Sequence, residues 1–152
     1  MSEGNWQEVT AMTEGNWQEV TAMNARDIMG RPVVAAAKTT TVRDVAIQML
    51  MGGFSGMPVT ERDGTILGIV TERDIIHAIR AGKRVETTTV EEIMTTEVVT
   101  VDVDATVDEV MKILDTKRIL RVPVTADGKL VGVISRPDVL RAFVEPNFMT
   151  FN

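Results

Sequence analysis

The chain has 152 residues, enough for one domain of ordinary size or two small ones sharing a core, and 44% of them are apolar. It holds no cysteine and one histidine, which excludes disulfides, thiolate metal centres, cysteine nucleophiles and His-rich metal sites. A net charge of −6 argues against nucleic acid as a partner; with no run of about 18 apolar residues and no basic, apolar start, we expect no membrane span and no signal peptide, in keeping with a cytoplasmic protein.

The chain opens on a literal duplication. EGNWQEVTAM occupies residues 3–12 and again 14–23. The segment carries Glu3, Glu8, Glu14 and Glu19 with no Lys or Arg, so it holds −4 of the net charge of −6 and the body, at −2, could hold a locally basic pocket for a small anion. Asn5 with Glu8 and Asn16 with Glu19 have capping-box spacing. Trp6, Val9, Trp17 and Val20 would share a helical face, but each half is shorter than an isolated helix needs. Residues 1–23 are therefore expected to be a flexible leader, or a docking segment that packs its Trp face on the body or on a partner.

From residue 24 onwards a longer, diverged repeat appears. RDIMGRPVV (26–34) is answered by EEIMTTEVV (91–99), TTVRDVAIQML (40–50) by ATVDEVMKILD (105–115), and GMPVTERDGTILGIVTERD (56–74) by RVPVTADGKLVGVISRPD (121–138). PVVAAA and EVVTVDV read as short strands. A helix follows, with Val42, Val45, Ala46, Met49 and Leu50 on one stripe and Val107, Val110, Met111 and Leu114 repeating it. Thr41 with Asp44, and Thr106 with Glu109, are spaced to cap it. Two apolar runs around RDG, and two around ADG, predict hairpins. Second helices start near 72 and 136. The order β-α-β-β-α, twice, predicts an α/β (α+β) fold: repeat 1 over 24–80, a linker at 81–90, repeat 2 over 91–144 and a tail at 145–152. One such unit is marginal alone, so the two are expected to pack sheet to sheet with pseudo-two-fold symmetry, leaving two equivalent clefts.

The most informative phrase is GIVTERD (68–74), answered by GVISRPD (132–138). Each runs from a strand end into a helix start. Helix capping accounts for it without any ligand: Thr71 and Ser135 as N-caps, Asp74 and Asp138 in the first turn. Three features point further. Gly68 and Gly132 weaken their strands and suggest that something approaches the backbone closely. A helix N-terminus suits a phosphate. A short carboxylate can accept from both hydroxyls of a ribose, in charge-assisted bonds worth roughly 1.5–3 kcal/mol each.

With those residues in view, the chain resembles a tandem pair of CBS domains (cystathionine-β-synthase domains), a Bateman module, over about residues 24–144. The resemblance rests on the element order, the MPV and VPV strands, and glycine–x–x–Thr/Ser–x–x–Asp in both copies. It implies Asp74 and Asp138 for ribose, Thr71 and Ser135 for phosphate, and Ile69, Val133, Gly56 and Met57 against adenine. Arg73 and Arg121 would serve phosphate; their counterparts in the other copy are Pro137 and Gly56, so the copies should differ. The Asp74 copy, with Arg73 beside it and Arg121 to borrow, should be the better phosphate binder. The implied ligand is an adenosine nucleotide (AMP, ADP or ATP) held as a regulatory signal, with a homodimer of modules and an unidentified regulated protein as partners.

His77 reads as a surface residue and Met49, Met51, Met57, Met94 and Met111 as packing filler. No histidine or lysine is placed to activate Thr71 or Asp74, so no enzyme is expected. Two rivals remain: a ligand-free dimerisation scaffold in which the phrase only caps helices, and a sensor of S-adenosylmethionine, which has ribose and adenine but no phosphate.

Overall fold

A computed structural model describes residues 17–30 and 33–144. The copy of the duplication at 3–12, with Trp6 and Val9, and the tail at 145–152 lie outside the described residues. The elements run α1 (described over 17–21), α2 (Ala25–Ile28), β1 (Ala36–Ala37), α3 (Val42–Gly52), β2 (Gly56–Thr60), β3 (Ile66–Thr71), α4 (Glu72–Arg80), α5 (Val90–Ile93), β4 (Val101–Asp102), α6 (Val107–Thr116), β5 (Arg121–Ala126), β6 (Lys129–Ser135) and α7 (Arg136–Val144). The strands make two three-stranded sheets, β1-β2-β3 and β4-β5-β6. β1 pairs parallel to β2 (Ala36 opposite Val59), and β2 pairs antiparallel to β3 (Gly56 opposite Thr71).

Local chemistry sets the element ends. Thr71 and Thr106 both close capping boxes, while Thr41 accepts from the Asp44 N–H at 3.2 Å. α3 stops where Gly53 turns to φ 70°, a conformation that costs glycine little. Asp127 and Gly128 both have positive φ, as a two-residue type I′ hairpin requires. The first hairpin is wider: Glu61 N–H donates to Thr65 O at 2.9 Å and Gly64 N–H to Glu61 O at 3.0 Å. The predicted strands at 32–37 and 97–103 shrink to β1 and β4, two residues each. On α3 the stripe is Val42, Val45 and Met49; Leu50 is 81% exposed, contrary to expectation. Eight residues on from Val42 is about 80° round the helix, at the edge of the buried face.

The described residues form two compact units that do not follow the sequence repeats. One holds 17–30, Thr100–Val124 and 132–144; the other holds 33–99 and Thr125–Val131. In the first, Ala25 N–H donates to Ala105 O (2.7 Å) and Val107 N–H to Met23 O (2.8 Å), and Val20 is 5% exposed. In the second, Val90 N–H donates to Thr40 O (2.9 Å) and Val42 N–H to Thr88 O (2.8 Å), and Val85 packs on the core. So α2 belongs with the β4-β5-β6 sheet and α5 with the β1-β2-β3 sheet. The segment before each short helix plays the same part in both units: residues 17–23, expected as a leader or docking segment, pack through Val20, and Val85 of the expected 81–90 linker packs on the core. Trp17 is nevertheless 53% exposed, so it is the valine of this face that is buried. The second unit's core gathers Val42, Val45, Met57, Val59, Val70 and Val90.

Candidate functional site

Both copies of the repeated phrase form a strand–helix junction with the aspartate folded back on the cap. At the β3–α4 junction, Asp74 Oδ2 accepts from the Thr71 N–H (2.9 Å) and hydroxyl (3.0 Å), and the Asp74 N–H returns a bond to Thr71 Oγ1 (3.2 Å). At the β6–α7 junction, Asp138 Oδ2 accepts from the Ser135 N–H (2.8 Å) and hydroxyl (2.9 Å), with Asp138 N–H to Ser135 Oγ at 3.4 Å. The structure thus brings Thr71 to Asp74 and Ser135 to Asp138, and helix capping is satisfied at both.

The remaining carboxylate oxygens are held differently. Asp74 Oδ1 accepts from the Thr95 hydroxyl at 3.3 Å. Asp138 Oδ1 pairs with the Arg141 guanidinium. Sequence reasoning missed both partners. Thr95 occupies the place that Gly30 takes in the other unit, since Ile69 bridges Thr95 and Val133 bridges Gly30. The contrast IMT against IMG within the long repeat is the signal that could have found it.

The strand glycines have an explanation within the chain. A Cβ on Gly68 would stand 2.7 Å from both Met94 Sδ and Thr95 O, and one on Gly132 would stand 2.8 Å from Met29 Cγ. The close approach inferred from sequence is real: it is made by the methionine before each bridge, joined at Gly68 by the Thr95 carbonyl. Those two methionines hold their segments against the strand edge.

The other expected residues divide. Ile69 and Val133 are half-buried beside these bridges. Gly56 is buried opposite Thr71, where an added Cβ would be 3.2 Å from Val70 O. Met57 is 1% exposed and its side chain packs within the core. Arg121 is half-buried at the start of β5. Arg73 is exposed and lines a cavity of about 370 Å³ with Asp74, His77, Lys83, Glu92 and Ile93. The surface position expected of His77 is therefore beside this cavity. Glu92 caps α5, and the Thr89 N–H, opposed by burial and helped by the Thr89 hydroxyl and Lys83, holds its carboxyl below the ordinary 4.5.

The CBS-domain family model matches residues 25–81 and 90–145. The chain belongs to the CBS-domain family. It is a pair of CBS domains, a regulatory module. It is 32% identical over 122 residues to an uncharacterized protein of Methanopyrus kandleri, covering 79% of this chain and 61% of that one, so the CBS pair spans less than two thirds of that relative. It is 29% identical over 128 residues to Hypoxic response protein 1 of Mycobacterium tuberculosis, covering 84% of this chain and 90% of that protein. A crystal structure of Hypoxic Response Protein I with two coordinated zinc ions superposes with a TM-score of 0.72 at 29% identity, over 78% of this chain and 98% of that one. The CBS domain pair of protein MJ0100, in complex with 5′-methylthioadenosine and S-adenosyl-L-methionine, gives a TM-score of 0.70 at 28% identity, over 80% and 96%. Among the described residues of the present pair, no group of three or more His, Cys, Asp or Glu is placed to hold a metal ion, and no helix is long and apolar enough to cross a membrane.

Proposed function

We propose that this CBS pair is a non-enzymatic sensor that binds an adenosine nucleotide, AMP, ADP or ATP, and reports it to another protein in the cytoplasm. The observation that carries the reading is the Asp74 carboxylate. One oxygen is fixed by the cap, and among the described residues the other is met only by a neutral hydroxyl at 3.3 Å, long for an O–H···O bond, so an acceptor is pre-positioned for a ribose diol. Of the first three N–H groups of α4, that of Glu72 goes to Ser55 O (3.1 Å) and that of Asp74 to Thr71. The third, on Arg73, is one the helix leaves without a partner, and with its guanidinium it supplies the phosphate contact. Ile69 and the backbone at Gly56 offer the apolar surface for adenine. Ser135, Asp138, Val133 and Arg121 are the corresponding groups of the second copy. Ligand shifts the module only by its differential affinity for two shapes.

A second reading has its own support: the CBS pair of MJ0100 is seen with two adenosine thioethers or sulfonium compounds that carry no phosphate. On that reading the ligand is S-adenosylmethionine and Arg73 and Arg121 have no phosphate to bind. Calorimetric titration with AMP, ADP, ATP, S-adenosylmethionine and 5′-methylthioadenosine in turn decides between them. Tight binding of a phosphorylated adenosine, abolished in Asp74→Ala, is the expected result. Preference for the sulfur compounds transfers the site to the second reading. Silence from all five sinks both and leaves the caps as helix caps in a dimerisation scaffold.

A further inference from the structure

The two copies are alike up to the aspartate and unlike beyond it. In the α7 copy the outer oxygen of Asp138 is taken by Arg141, and this pair is only partly wet: the Asp138 side chain is 15% exposed and the Arg141 side chain 46%. The residue in the Arg141 place on α4 is His77, and Asp74 makes no ion pair with it; Thr95 serves Asp74 instead. A neutral hydroxyl leaves the carboxylate its charge and a lone pair for an incoming donor. A guanidinium uses both. A ligand diol arriving at Asp138 must therefore displace a cation, whereas at Asp74 it displaces at most one weak hydroxyl contact.

The helix starts differ in the same direction. On α7 the Arg136 N–H donates to Leu120 O (3.2 Å) and the Asp138 N–H to Ser135 Oγ (3.4 Å). Between them stands Pro137, which has no N–H to give. The one amide that α4 keeps for an anion, on Arg73, has no counterpart on α7. Gly30, in the place of Thr95, adds no side-chain donor either.

We propose that Arg141 closes the Asp138 copy to a ribose diol, so that the pair carries one working adenosine site per chain, at Asp74. This rests on the sensor reading above. Arg141 is then the residue that sets how many ligands the module takes, and its replacement opens a second site.

The test isolates the second copy. Asp74→Asn silences the first site while keeping a side-chain oxygen to cap the Thr71 N–H. Adenosine, which has the diol and no phosphate, is titrated calorimetrically into the wild-type chain, D74N, D74N with Arg141→Ala, and D74N with Arg141→Lys. The wild type should bind one adenosine per chain and D74N almost none. Removing Arg141 should tighten binding to D74N by about 2- to 5-fold, the scale of releasing one partly exposed ion pair, and R141K should restore the block. Two equivalent sites in the wild type, or no gain on removing Arg141, overturns the inference and leaves the sensor reading standing. A wild type that binds no adenosine ligand at all removes the sensor reading and the inference with it.

Discussion

Replacing Gly68 by alanine should cost more than the same change at Gly132, and the structure gives the size of the difference. At Gly68 the new Cβ would be 2.7 Å from Met94 Sδ and equally close to the Thr95 carbonyl oxygen. The sulfur can swing away, since methionine is flexible. The carbonyl cannot, because it accepts from the Ile69 N–H at 2.9 Å while the Thr95 N–H donates to Ile69 O at 2.8 Å. Admitting the methyl means withdrawing the strand edge and losing both bonds, about 1 kcal/mol each. Overpacking adds about 1–3 kcal/mol, and the stiffer unfolded chain returns about 0.4–1 kcal/mol. The net for Gly68→Ala is about 2–4 kcal/mol. At Gly132 the three nearest atoms all belong to the Met29 side chain, so the net is about 0–2 kcal/mol. In a chain of this size 1 kcal/mol shifts Tm by about 2–4 °C. Calorimetric melting should therefore show Gly68→Ala lower by about 4–16 °C and Gly132→Ala by about 0–8 °C. Equal shifts would refute the assignment of the backbone carbonyl as the obstacle.

Two further outcomes follow from the surface. The carboxyl of Glu92 has a folded pKa below 4.5, so the stability it confers is present above that value and is lost as pH falls through the lower, folded one. Urea midpoints of Glu92→Gln against pH should lie below the wild type near neutrality and meet it in acid; parallel curves would show that the Thr89 cap does not act through charge. Leu50, Met51, Ile76 and Ile79 on α3 and α4 stand exposed, and we propose this face of the unit as the surface for a second copy of the chain. Sedimentation should find a dimer that Leu50→Asp with Ile79→Asp converts to a monomer with little change in melting temperature, and a monomeric wild type would dismiss that assignment.

What could be read from the sequence was what is local. Asp-Gly turns, Thr-x-x-Asp and Thr-x-x-Glu caps, and the valine stripes of α3 and α6 each depend on residues a few places apart, and each formed. What could not be read depends on partners far along the chain. α2 and α5 are single turns, too short for a period to show, and they are stabilised by bonds to Ala105 and Thr40 that only the fold supplies. The methionines of IMG and IMT are visible as a repeated phrase, yet nothing in the phrase says that each lies on a glycine. That is why the glycines are legible as sites of close approach while the group that approaches is not.

The same limit separates motif from site. Glycine–x–x–Thr/Ser–x–x–Asp is satisfied twice and folds twice into the same cap, so the motif alone cannot rank the copies. The copies differ at residues outside the motif's shared letters: Arg73 against Pro137 in the first turn, His77 against Arg141 along the helix, and Thr95 against Gly30 across the strand edge. Arg141 pairs with Asp138 while Thr95 meets Asp74 with a hydroxyl, and Arg73 keeps an N–H where Pro137 has none. On the sensor reading proposed above, the duplicated cap has diverged in a donor for the anion and an unpaired acceptor for the diol, while keeping in both copies the hydrogen bonds that hold the helix.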